Sequence, residues 1–199
     1  APDACTPPAP TDASFEQVTL AKGVDKVGEP MSISVLPDGR VLHNARDGRI
    51  FLTDLEGNTT LLYDVPIYSH DEDGLQSLTV SPTFEDDGWV YLYYAPPLDT
   101  PAGDAPNDGT AEQFAAWKGY NVLSRMKMVG DDLDPSTEQE LLKVDADRGI
   151  CCHAGCAIDF DADGNLYLST GDDSNPFASD GYAPLDERTT RNPAYDAQR

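Results

Sequence analysis

Met31-Ser32-Ile33-Ser34-Val35-Leu36, then Pro37-Asp38-Gly39-Arg40, then Val41-Leu42-His43-Asn44 is the stretch that decides the fold. Apolar and polar residues alternate on either side of a Pro-Asp-Gly turn, and a period of two is the mark of a half-buried β-strand. Asp-Gly between two alternating runs marks a hairpin. The arrangement returns twice. Leu78-Thr79-Val80-Ser81-Pro82 leads through Glu85-Asp86-Asp87-Gly88 into Trp89-Val90-Tyr91-Leu92-Tyr93-Tyr94. Ala157-Ile158-Asp159-Phe160 leads through Asp161-Ala162-Asp163-Gly164 into Asn165-Leu166-Tyr167-Leu168-Ser169. Asp47-Gly48 and Glu56-Gly57-Asn58 mark further turns.

Degenerate hairpin repeats separated by loop insertions read as the blades of an all-β propeller, each a small antiparallel sheet. About two and a half blades are legible, fewer than the four a closed propeller requires. The segment Pro96 to Gly119 reads as a long surface loop, with a short helix predicted over Ala111 to Trp117, and Lys143 to Gly149 reads as a second loop. From Asp172 to Arg199 the strand pattern is lost and Pro176, Pro184 and Pro193 interrupt a polar run, so the sequence is expected to stop within its domain. The expected organisation is a Pro-rich tether over residues 1–14, followed by the N-terminal portion of a propeller over residues 15–199.

The 199 residues carry 36 acidic and 13 basic side chains, a formal net charge of −23. Nucleic acid and anionic membrane surfaces are held by Lys and Arg, so both are excluded as partners. Apolar runs such as Thr59 to Val65 and Val90 to Pro97 fall far short of the ~20 residues of a spanning helix. The acidic loops suit a solvated surface and, locally, Ca²⁺, a hard cation that takes oxygen ligands.

Cysteine usage points to a secreted protein, extracellular or periplasmic. Cys5 lies in the Pro-rich start, while Cys151, Cys152 and Cys156 are clustered. Four cysteines permit three connectivities; a bond from Cys5 to one member of the cluster is the favoured arrangement. A metal held by the cysteines with His153 is the weaker alternative, because thiolate ligands usually come as two spaced pairs. His153 stands out among three histidines because it sits between a loop and a strand start, where an imidazole can move a proton near neutral pH.

Three motifs in one order carry a family resemblance. Met31-x-Ile33-x-Val35-Leu36-Pro37-Asp38-Gly39-Arg40 with Arg46-Asp47-Gly48-Arg49-Ile50 resembles the first blade of the soluble glucose/sorbosone dehydrogenases. Glu72-Asp73-Gly74-Leu75-Gln76-Ser77-Leu78, with Ser81-Pro82-Thr83-Phe84 and Trp89-Val90-Tyr91-Leu92, is similar to the second. His153-Ala154-Gly155-Cys156, with Phe160, Asp163-Gly164, Leu166-Tyr167 and Thr170-Gly171-Asp172, resembles the segment that bears the catalytic histidine. The resemblance implies a six-bladed propeller that binds pyrroloquinoline quinone (PQQ) with Ca²⁺ and oxidises an aldose or related sugar, handing its electrons on to an external acceptor. It makes His153 the general base at the anomeric hydroxyl, with a hydride passing to the quinone. It places Glu72 near cofactor or substrate, although an acidic turn residue is an equally good reading. Two departures stand out. Cys152 occupies the place of an Asp that orients the imidazole in glucose-oxidising members, and Cys156 replaces a small residue, which suggests a local disulfide clamp. The basic residues that grip the quinone in the family come from later blades.

Asp159-x-Asp161-x-Asp163-Gly164 matches half of an EF-hand loop, but Thr170 stands at the twelfth position and the flanking alternation favours a hairpin. The acidic run Gly171-Asp172-Asp173-Ser174-Asn175 is a better place for an ion or polar ligand, with an Asx-rich loop the simpler account. Asn58-Thr59-Thr60 is a glycosylation sequon. Two functions remain open: a PQQ-dependent sugar oxidoreductase, or a non-catalytic propeller that binds carbohydrate or protein at the same face.

Overall fold

Three antiparallel sheets follow one another along the chain in the computed structural model, which describes residues 16–106 and 110–171. The first is a four-stranded meander of β1 (Pro30–Val35), β2 (Val41–Ala45), β3 (Arg49–Thr53) and β4 (Thr59–Asp64). The second repeats it with β5 (Leu75–Val80), β6 (Trp89–Tyr94), β7 (Tyr120–Val129) and β8 (Asp132–Asp145). The third consists of β9 (Cys156–Phe160) and β10 (Leu166–Thr170). The first strands of the sheets, β1, β5 and β9, lie side by side. All three hairpins expected from the sequence are present. The expected tether over residues 1–14, Cys5 and the acidic run from Asp172 lie outside the described residues.

Leu42, Ile50, Leu75, Val90, Leu92 and Met126 are fully buried where the first two sheets face each other. Each such side chain contributes about 1.5–3 kcal/mol by leaving water. Polar ties fix the register between the sheets. Asn44 donates through Nδ2 to the carbonyl of Leu75 (2.7 Å), and the amide of Leu78 donates to Ser32 Oγ (2.8 Å). Tyr93, Leu123 and Ile158 make a second core beneath β9 and β10, and the Tyr91 ring meets Phe160 edge-on at 5.0 Å.

Several sequence expectations are corrected. The turn between β5 and β6 contains a helical turn, α1 (Phe84–Asp87). The 96–119 insertion does carry its helix, α2 (Ala111–Ala115), opened by a Thr110–Gln113 capping box. It is more than surface loop, however, since Phe114 and Trp117 are buried. Residues 143–145, read as loop, belong to β8. The Asp161 segment, by contrast, is the hairpin turn that the flanking alternation predicts: its carboxylate accepts from the amides of Asp163 (3.0 Å) and Asn165 (2.8 Å).

A meander sends its connections alternately to two ends. Tight turns at 36–40, 54–58, 81–88, 130–131 and 161–165 gather at one end. The connections 46–48, 65–74, 95–119 and 146–155 gather at the other, and the candidate chemistry lies with them.

Candidate functional site

Glu72 and the loop that carries His153 meet at the loop end. Glu72 lies on the connection from β4 to β5, and His153 on the connection from β8 to β9. Glu72 Oε2 accepts from the amide of Ala154 at 3.4 Å, placing a carboxylate against the backbone of the residue that follows His153. Glu72 is exposed and His153 half-buried, so both are reachable from solvent. Gln76, almost fully buried, donates its side-chain amide to the Glu72 carbonyl and fixes the start of β5 beneath it.

The His153 loop is anchored on both sides. Downstream, the amide of Gly171 donates to the carbonyl of Gly155 (2.8 Å). A Cβ at Gly171 would lie 1.5 Å from the His153 carbonyl oxygen, so only glycine permits this approach. Upstream, Arg148 is fully buried, a rare state for a guanidinium unless it is paired. It donates to Asn121 Oδ1 (3.0 Å) and the carbonyl of Tyr120 (2.6 Å), and its guanidinium lies over the Tyr68 ring at 4.9 Å. Arg148 Nη1 also faces Asp73 Oδ1 at 3.6 Å. Burial pushes the Asp73 carboxyl up to about 6, against the opposing pull of Arg148, His70 and Arg46. The next residue, Gly149, donates to Tyr68 Oη (3.1 Å) and accepts from the amide of Ala105 (2.7 Å).

The Glu72 side is anchored as well. Arg46 reaches the carbonyls of Asp71 and Asp73 through Nη1 and pairs with Glu29 (2.8 Å). Gly74, at φ +144°, passes so close to the Arg46 carbonyl that a Cβ would lie 2.1 Å from it. The three non-glycine residues with positive φ among those described are Asp71, Cys152 and His153, next to or within the two segments that meet here. Such conformations cost of order 1–3 kcal/mol and gather where function over-determines the backbone.

The expected bond from Cys5 lies outside the described residues. Cys151 and Cys152 form a disulfide with each other, and among the described residues Cys156 keeps a free thiol. The local clamp therefore involves the two neighbours rather than Cys156, and with two of the thiols consumed the cluster is not a thiolate metal site. Burial pushes the Cys156 thiol up to about 12. Asp73, Arg148 and Tyr68 carry this end of the molecule, yet sequence reasoning passed over them. Among the described residues, His70, Asp71 and Asp104 form the group of potential metal ligands. The two ring nitrogens of His70 face different carboxylates, Asp71 at 2.9 Å and Asp104 at 3.0 Å, so the ring bridges two loops. A cleft of about 550 Å³ between the 36–40, 84–88 and 127–130 turns lies at the opposite end, away from Glu72 and His153. Among the described residues, no helix is long and apolar enough to cross a membrane.

Comparison with known proteins gives these observations a setting. The sequence pattern of the glucose/sorbosone dehydrogenases matches residues 27–186. A putative oxidoreductase (glucose dehydrogenase) from Thermus thermophilus is 29% identical, with 72% of this chain and 37% of that one covered and a TM-score of 0.54. The PQQ-bound form of an aldose sugar dehydrogenase from Streptomyces coelicolor is 28% identical, with 84% and 44% covered and a TM-score of 0.53. The soluble aldose sugar dehydrogenase of Escherichia coli, at 18% identity, 74% and 39% coverage and a TM-score of 0.57, shares the fold. No curated protein sequence matches. The chain spans less than half the length of these solved structures. With an all-β frame of antiparallel sheets and a family match over most of its length, the chain belongs to the glucose/sorbosone dehydrogenase family.

Proposed function

We propose that the protein is a PQQ-dependent oxidoreductase acting on an aldose or related sugar, with His153 as its general base. The observation that carries this reading is the meeting of Glu72 with the His153 loop at the open end of the sheets. In the proposal the His153 imidazole takes the proton of the anomeric hydroxyl, from a loop that a carboxylate ties at the next residue. Glu72 orients the loop and faces the polar substrate. The quinone, when bound, supplies the two-electron acceptor, and the protein supplies position and the base.

The residues present fit the substrate side of such a cofactor. Its carboxylates also call for cations, and the arginines described at this end, Arg46, Arg49 and Arg148, already hold backbone carbonyls and carboxylates. We therefore assign the cationic grip, and the Ca²⁺ that accompanies it, to the remainder of a longer, six-bladed propeller. Residues 15–199 form its N-terminal portion in this reading. Residence outside the cytoplasm follows in the same proposal from the Cys151–Cys152 disulfide.

The test is reconstitution of the full-length protein with PQQ and Ca²⁺, followed by dye reduction across a panel of aldoses. Sugar-dependent reduction that His153→Ala removes without loss of fold is the expected result. Quinone binding with no dye reduction on any sugar would overturn it in favour of a non-catalytic carbohydrate- or protein-binding module.

A further inference from the structure

We infer that the Cys151–Cys152 disulfide is the positioning element of His153, bracing the imidazole from the adjacent residue where glucose-oxidising relatives are expected to use an acid. The inference rests on the reading of His153 as the base. A bond between neighbouring cysteines closes a small ring through their shared peptide, so the residue before His153 loses most of its torsional freedom. Cys152 at φ +86° and His153 at φ +58° both hold a left-handed backbone that side-chain-bearing residues seldom adopt. The chain is tied down on either side, by Gly149 to Tyr68 and Ala105 and by Gly155 to Gly171. Between those ties, the disulfide is the one covalent brace among the described residues.

Nearby chemistry protects the brace. Thiol–disulfide exchange requires an attacking thiolate. Cys156, four positions on, is the adjacent thiol, and burial keeps it protonated at neutral pH. The pair is therefore stable towards this thiol, and an external reductant opens it. A dithiol opens it by attack on one sulfur. The S–S bond breaks, Cys151 and Cys152 gain two electrons and two protons, and the reagent leaves as its own cyclic disulfide.

The test uses full-length apo-protein, reduced by a dithiol, freed of reagent, and then loaded with PQQ and Ca²⁺. The expected result is a fall in kcat of about tenfold or more with KM within twofold, since small displacements of a reacting group are costly. Reoxidation should restore it. The second readout needs no activity: with ¹⁵N-labelled histidine, the His153 ring resonances should move on reduction. Those of His43, held against Thr53 at 2.9 Å in the first sheet, should not. Complete reduction, verified by mass, that leaves the His153 resonances and kcat unchanged would overturn the inference. So would movement of His43 together with His153, which reports general loosening, or two free thiols at 151 and 152 in protein purified without reductant. Movement of His153 alone, with no sugar oxidation in either state, would uphold the positioning role and reject the dehydrogenase reading.

Discussion

Replacing Asp73 with asparagine removes one carboxyl from the buried hub beneath Glu72 and makes its titration measurable. In the fold, burial raises this carboxyl to about 6, from an ordinary value near 4. A raised value means that the folded state holds the proton more tightly than the unfolded chain. The stabilisation from that proton is complete below about pH 4 and is lost as the pH climbs to 6. At 1.36 kcal/mol per unit, the loss is at most about 3 kcal/mol. Asparagine keeps the shape and does not titrate. The stability of the native protein minus that of Asp73→Asn should therefore fall by up to about 3 kcal/mol between pH 4 and pH 6, then level off. Urea denaturation of both proteins at half-unit steps of pH gives this difference, and the remaining carboxyls cancel in it. A difference that stays flat or rises with pH would refute the reasoning. It would mean that Arg148, at 3.6 Å, keeps Asp73 ionised throughout and that the pair behaves as an ordinary buried salt bridge.

Three further outcomes follow from the geometry. Gly171→Ala puts a methyl group onto the His153 carbonyl and should cost about 1–3 kcal/mol in denaturation, with a larger proportional loss of sugar oxidation. Leu92→Ala empties a fully buried position between the first two sheets and should cost about 2–5 kcal/mol without a change in KM. Glu72→Gln, at an exposed position, should leave unfolding within about 0.5 kcal/mol. The same change should lower kcat about tenfold if the carboxylate orients the His153 loop; unchanged kcat would reduce Glu72 to a turn residue.

The hairpins were legible because their local chemistry agrees with their final environment. Pro37-Asp38-Gly39-Arg40 and Asp161-Ala162-Asp163-Gly164 carry both the turn residues and the flanking alternation. The long β7–β8 hairpin was not. Most of β8 is exposed, so Asp134-Pro135-Ser136-Thr137-Glu138-Gln139-Glu140 shows no apolar period that would mark a strand. A proline within it suits an outer strand, where one donor is spared. At the site, His153 and Glu72 were visible through ordered motifs, and the structure places Glu72 against the amide of Ala154 on the His153 loop. Arg148 and Asp73 were invisible because a charged residue carries no sign of burial in its own sequence. The Cys151–Cys152 bond was not legible because four cysteines leave three connectivities open and spacing alone does not choose among them.

The adjacency of β1, β5 and β9 also sets an order of events during synthesis. Each meander is nearly complete before the next emerges, so most pairing is between neighbours in the chain and closes quickly. Contact between Glu72 and Ala154 spans 82 positions and waits until β8 has returned along β7. Ribosome-bound intermediates that end before residue 146 would therefore hold a finished first sheet and an idle carboxylate. The contact between the carboxylate and the His153 loop would arrive late and in a single step, when the third sheet docks.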